Sequence, residues 1–156
     1  YVTGVEVGIG SNGRKNRGGH QMEALVEEHL KNACVEYYKE MYLTEIENKW
    51  NIDLSAVSAK GTSTKRWDFV VKTKNKIFVI ETNFYASSGS KLNETARSYK
   101  MIAEEAKEIP NFEFVWITDG AGWKDAKRNL EETFIVLENL YNITDMENGI
   151  LNRIFK

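Results

Sequence analysis

Apolar side chains recur along this chain at changing periods, and each change marks an element. Residues 2–9 alternate apolar with polar or small residues, the two-residue period of a short strand. From Gly19 to Tyr42, the positions Met22, Leu25, Val26, Leu30, Ala33, Tyr37 and Met41 fall three and four apart. That spacing predicts one amphipathic helix, with Cys34 as a small residue inside it. Residues 52–58 read as a short strand and Lys60–Thr64 as a loop. Two runs rich in β-branched and aromatic residues, Trp67–Val71 and Ile77–Ile80, flank Lys72–Lys76 and predict a hairpin. A Ser/Gly loop over Ala86–Ser90 leads into a second helix over 91–108, with Leu92, Ala96, Tyr99 and Ala103 on one side, and the only proline, Pro110, stops it. Phe112–Thr118 is nearly all apolar, as a strand covered on both faces must be, and residues 123–133 read as helix. Trp67, Phe69, Phe114 and Trp116 are assigned to the core. The expected fold class is α/β, a mixed central sheet flanked by helices.

Composition narrows the class. The 156 residues suit one domain, and no apolar run approaches the ~20 residues that cross a bilayer, so no membrane partner is expected. A single cysteine, Cys34, rules out an internal disulfide framework and fits a reducing, cytoplasmic location. Two histidines, His20 and His29, argue against a histidine-rich zinc site. Tyr1 opens the chain inside a strand-like stretch, so residues 1–156 are expected to form a single domain from the carboxy-terminal part of a longer protein. A net charge of −2 is not that of a protein coated in cations. A nucleic-acid enzyme of this balance must concentrate its basic residues locally, and the loop with Arg14, Lys15, Asn16 and Arg17 does so.

The hairpin carries the candidate chemistry. With Lys74 and Asn75 as its two turn residues, Phe69 faces Ile80, Val70 faces Val79 and Asp68 faces Glu81. Directly opposed residues share a face with Cβ atoms roughly 5 Å apart, so the two carboxylates repel unless a cation joins them. Mg²⁺ favours one or two carboxylates completed by water and phosphate oxygens. Asn83, two residues beyond Glu81, shares that face if the strand stays extended. The ordinary alternative is two unrelated charges at strand ends.

The stretches RWDFVVKTKNKIFVIETNFYASSGSKLNETARSYK, GVEVGIGSNGRKNRGGHQME and WITDGAGWKDAKRNLEETF carry a family resemblance. The pattern W-D68-F followed by E81-T-N83 resembles the PD-(D/E)xK nuclease superfamily, whose core is a helix, three strands, a helix and a further strand. More narrowly, the chain is similar to type II restriction endonucleases of the DpnII/MboI type, which cut unmethylated GATC. The resemblance implies Mg²⁺-dependent hydrolysis of double-stranded DNA, with Mn²⁺ able to substitute, by a homodimer with one active site per strand. It implies metal ligation by Asp68, Glu81 and the backbone carbonyl of Thr82.

The superfamily pattern places lysine where this sequence has Asn83. Asparagine orients a water but carries no charge, and Lys91 is the candidate for the missing cation. Glu23 on the first helix corresponds to a glutamate that supports the metal's hydration, with Glu27 one turn away as the competing choice. Arg14, Lys15, Asn16, Arg17, Asn93 and Arg97 are the candidate DNA contacts. A structure-selective repair nuclease, or a DNA-binding module that has lost activity, are the other readings of the same pattern.

Overall fold

The computed structural model describes residues 19–57 and 65–156; the expected strand at 2–9, the loop residues Arg14, Lys15, Asn16 and Arg17, and the loop at 60–64 lie outside the described residues. Helix α1 (Gly19–Asn32) is followed by strand β1 (Glu36–Tyr42) and helix α2 (Leu43–Trp50). Strands β2 (Arg66–Lys72) and β3 (Ile77–Phe84) form the hairpin, α3 (Ser90–Ala106) crosses over, and β4 (Phe112–Asp119) follows. Helix α4 (Lys127–Val136), the two-residue β5 (Leu140–Tyr141), α5 (Ile143–Glu147) and α6 (Ile150–Ile154) complete the chain.

The sheet has five strands in the order β1-β2-β3-β4-β5. The first three are antiparallel, and β4 and β5 run parallel to β3. It is therefore a mixed sheet, with a helix supplying the crossover that a parallel pair needs. One face is covered by α2, α3 and α4, where Ile46, Leu92, Ala96 and Leu130 pack on Val70, Val79, Phe114 and Trp116. Helix α1 covers the other, setting Met22, Val26 and Leu30 on Phe69, Val71, Phe78 and Ile80. Trp67, Phe69, Phe114 and Trp116 are all buried, as their composition requires.

Three expectations are corrected. The periodic stretch Gly19–Tyr42 is not one helix. It ends at Asn32, and Cys34, exposed just beyond the helix, takes the left-handed conformation (φ 55°) that closes helices. The aromatic segment that follows pairs as β1 with β2. Tyr37 and Met41 lie four apart, a spacing that suits a helix and, being even, suits a strand equally, so periodicity could not separate them. The described part of the stretch expected as a strand, residues 52–57, does not form one either: Ser55–Val57 make a short 3₁₀ turn, and residue 58 lies outside the described residues. The third strand of the antiparallel segment is β1.

The loop leaving β4 is held against the end of β3. Asp119 C=O accepts from Tyr85 N–H at 3.0 Å, and Tyr85 C=O accepts from Gly122 N–H at 2.9 Å. Gly120 has φ 120°, and a Cβ built there would stand 2.1 Å from the Tyr85 carbonyl oxygen. Both the backbone conformation and the contact demand glycine. Gly120→Ala is expected to cost more than about 3 kcal/mol in denaturant unfolding, since strain and a backbone clash act together. A change below 1 kcal/mol on that scale would show that the loop is not fixed in this way.

Candidate active site

Two irregularities in the sheet coincide at Asp68. The β2–β3 ladder pairs Phe69 with Ile80, Val70 with Val79 and Lys72 with Ile77, the register expected from a Lys74-Asn75 turn, and it stops at Phe69. On the other edge of β2 the ladder pairs Lys39 with Phe69 and Met41 with Trp67 but skips Glu40 and Asp68, where Glu40 has φ 53°. Trp67 consequently joins the α3-side core although Phe69, two residues on, joins the α1-side core. A local break in the alternation of this kind re-aims side chains at a strand end.

The carboxylates replace the missing ladder bonds. Thr82 N–H donates to Asp68 Oδ2 at 2.9 Å, and Asp68 N–H donates to Glu81 Oε2 at 3.3 Å. Each acid thus has one oxygen tied to the opposite strand. The two meet as the sequence pairing anticipates, through reciprocal backbone contacts rather than as a regular cross-strand pair. Glu81 is buried, 3% exposed, and Asp68 is half-buried. Burial pushes the Asp68 carboxyl above the usual carboxylate range, against the opposing pull of the Thr82 hydrogen bonds and the Lys65 charge.

Sequence reasoning missed Lys65. Its ammonium is ion-paired with Glu81 Oε1 and lies 5.0 Å from the centre of the Trp67 ring and 5.6 Å from that of Tyr99. Burial draws the ammonium below its ordinary range, partly offset by Asp68. Nothing in the pattern signals it: Lys65 adjoins a polar loop, and a lysine there reads as solvated.

Asn83 lies on the same face, held by two donors. Its Oδ1 accepts from Trp116 Nε1–H at 3.1 Å and from Thr118 Oγ1–H at 2.6 Å. Trp123 Nε1–H donates in turn to Thr118 Oγ1 at 2.9 Å. Burial, with the Asp68 charge second, raises the Tyr99 phenol well above its ordinary range.

The other candidates lie further out. Lys91 is exposed in the first turn of α3, with its carbonyl accepting from Thr95 Oγ1–H at 2.9 Å. Glu23 is half-buried on α1, the helix covering the opposite face, where its charge acts on Lys39. Glu27 is engaged at both oxygens, accepting from Tyr37 Oη–H at 2.7 Å and from Lys39 Nζ at 3.0 Å, so it ties α1 to β1. Asn93 accepts from Asn129 Nδ2 at 2.6 Å, joining α3 to α4, and Arg97 is exposed.

Among the described residues no three His, Cys, Asp or Glu side chains converge on one point. Two carboxylates are a hard, incomplete donor set. That set fits an ion that fills its shell with water and phosphate oxygens, as Mg²⁺ does, and does not fit zinc, which takes a closed set of nitrogen and sulfur ligands. No helix of the described residues is long and apolar enough to cross a membrane.

A mixed α/β sheet with two acids paired across a broken hairpin edge, beside an E-x-N strand end, defines a restriction-endonuclease-like core. The chain belongs to the DpnII restriction endonuclease family, whose model matches residues 1–153. It is 55% identical over 158 residues to the type II restriction enzyme DpnII of Streptococcus pneumoniae, covering 99% of this chain and 55% of that protein. It is 45% identical to the type II restriction enzyme MboI of Moraxella bovis, over 96% of this chain and 51% of the relative. A third relative, the type II restriction enzyme MjaIII of Methanocaldococcus jannaschii, is 38% identical over 99% of this chain and 54% of its own length. The chain thus spans about half the length of the curated relatives it matches. No solved structure matches it.

Proposed function

We propose that this chain carries the catalytic centre of a type II restriction endonuclease, which hydrolyses phosphodiester bonds of double-stranded DNA at unmethylated GATC and depends on Mg²⁺. The observation that carries the reading is the meeting of Asp68 and Glu81 at the point where both ladders of β2 are interrupted. A pair of mutually repelling acids tied down by backbone N–H groups, rather than released to water, is costly unless a cation uses it.

Asp68, Glu81 and the backbone carbonyl of Thr82 would hold the ion. A bound Mg²⁺ supplies neutralisation of charge on the attacked phosphate and an acidified water for in-line attack. The chain's residues do the positioning. The reciprocal N–H contacts fix one oxygen of each carboxylate, and the second oxygen of Glu81 is ion-paired with Lys65. Asn83, clamped by Trp116 and Thr118, holds the end of β3 in line with β4 and orients the water side of the site. Glu23, to which the resemblance gives the hydration of the ion, stands on α1 across the sheet from the Lys65–Glu81 pair, and Lys91 is the cation the sequence pattern offers. Arg14, Lys15, Asn16 and Arg17, with Asn93 and Arg97, contact the DNA. The acting species is a cytoplasmic homodimer with one site for each strand of the symmetric sequence.

The test is digestion of paired duplexes that differ only in adenine methylation at GATC, using the complete protein with and without Mg²⁺. Cleavage is expected only of the unmethylated duplex and only with the ion. The N6 methyl stands in the major groove, where it crowds a side chain reading the amino group, and a lost base contact costs about 1–3 kcal/mol. Equal cutting of both duplexes would sink the GATC assignment. Cutting of flaps or junctions alone would replace it with a structure-selective nuclease.

A further inference from the structure

We propose that Lys65 is the built-in counter-ion of the Asp68–Glu81 pair and the cation that this site sets beside the attacked phosphate, in place of the lysine that its strand lacks at Asn83. The proposal rests on the nuclease reading above and assigns it a residue that the E-x-N pattern does not reveal.

Three observations carry it. The first is position: the Lys65 ammonium is ion-paired with Glu81 Oε1, the carboxylate oxygen not tied to the Asp68 N–H, and it feels the attraction of Asp68 as well. It therefore holds an oxygen of Glu81 that a divalent ion bound to that acid would compete for. The second is the stem. The Lys65 carbonyl accepts from Leu43 N–H at 3.0 Å, which fixes the backbone, and the ammonium lies beside the Trp67 and Tyr99 rings. These rings offer the charge a face to rest on when it leaves the carboxylate. The side chain keeps 27% of its surface exposed, so it is not sealed from the solvent.

The third observation is elimination. Asn83 has no charge, and its oxygen already accepts from Trp116 and Thr118. Lys91 is exposed, and no ion pair holds it among the described residues. Lys65 is the lysine that the fold has carried into contact with the acids.

The consequence is competition. One monovalent charge half-neutralises two carboxylates, which stabilises the ion-free protein. A doubly charged ion displaces the ammonium from Glu81, and Lys65 stays within a stem's length of the site, where the nearest new anion in a bound duplex is a phosphodiester. Lys65 therefore opposes metal binding when DNA is absent and assists hydrolysis when DNA is present. A lysine holding only structure would do neither, and one contacting only DNA would leave metal affinity unchanged.

The experiment compares the complete wild-type protein with Lys65→Met, which keeps the stem length and drops the charge, and with Lys65→Arg. Mn²⁺ binding is measured calorimetrically without DNA, thermal melts are taken with and without Mn²⁺, and cleavage is followed in single turnover at saturating enzyme. Lys65→Met is expected to bind Mn²⁺ about tenfold more tightly. It should melt lower than wild type without ion, gain more on adding Mn²⁺, and cleave about 100-fold more slowly. Lys65→Arg keeps the charge and should bind Mn²⁺ as wild type does. Unchanged or weaker Mn²⁺ binding by Lys65→Met overturns the proposal, as does wild-type single-turnover cleavage. Should Lys65→Met not fold, tighter Mn²⁺ binding by Lys65→Arg than by wild type overturns it equally. A wild-type protein that binds no Mn²⁺ removes the metal reading itself, and this proposal with it.

Discussion

Asp68→Asn is expected to reduce double-strand cleavage by at least about 10²-fold, since removing a direct ligand should cost more than the 10–100-fold typical of residues that merely support one. Its fold should be as stable as the parent's, or slightly more so. The sign of the stability change follows from the geometry. Asparagine keeps an oxygen to accept the Thr82 N–H at the 2.9 Å position that Asp68 Oδ2 occupies. It also removes a charge that burial disfavours, which is why the Asp68 carboxyl is raised above its ordinary range. Glu81→Gln should lose cleavage to the same extent but behave differently on melting. It retains an acceptor for the Asp68 N–H yet strips the buried end of the Lys65 ion pair, so it should lose about 1–2 kcal/mol, an amount held down by the partial exposure of Lys65. Nicking and linearisation of a plasmid, paired with thermal melts, measure both quantities. Full cleavage by either variant would remove the residue it replaces from the metal site.

The hairpin was legible because two local signals agreed. Two short β-forming runs joined by Lys72–Lys76, with Lys74 and Asn75 as the turn, admit few registers, and the observed pairing of Phe69 with Ile80 and Val70 with Val79 follows from them. Helix α3 was legible because one period held throughout it, and strand β4 because its residues form a nearly unbroken apolar run. Strand β1 was not, because Tyr37 and Met41 fit helical and extended periods alike and a left-handed cysteine gives no warning in a sequence. Within the site, the meeting of Asp68 and Glu81 could be read from pairing, but its form could not. A break opposite Glu40 depends on a backbone angle in another strand, and no pattern in Trp67-Asp68-Phe69 encodes it. Lys65 was hidden for a related reason: its partners Glu81, Trp67 and Tyr99 come together only after β2, β3 and α3 have packed.

Placing the superfamily's lysine back at position 83 is expected to damage the protein rather than improve it. Asn83 is the acceptor for two donors, the Trp116 indole and the Thr118 hydroxyl, at 3.1 and 2.6 Å, and both residues are fully buried. Lysine has no acceptor, so Asn83→Lys leaves the Trp116 indole unsatisfied, at about 1–3 kcal/mol, and takes the Asn83 acceptor from the Thr118 hydroxyl. It also brings a second ammonium close to the one Lys65 already supplies. The sum of these effects should lower the unfolding free energy by about 2–5 kcal/mol, a large share of what holds a domain of this size together. Cleavage should fall with it, because the end of β3 that carries Glu81 and Thr82 is aligned to β4 through Asn83 opposite Thr118. Asn83→Asp separates the two causes, since it keeps an oxygen for Trp116 and Thr118 while adding a third negative charge that Lys65 or a metal can balance. Its ion-free melt should lie between those of wild type and Asn83→Lys, and it should recover more on adding Mg²⁺ than wild type does. Equal melts for wild type and Asn83→Lys, with faster single-turnover cleavage in the variant, would show that Asn83 marks a weakened catalytic position rather than a fixed support for the strand.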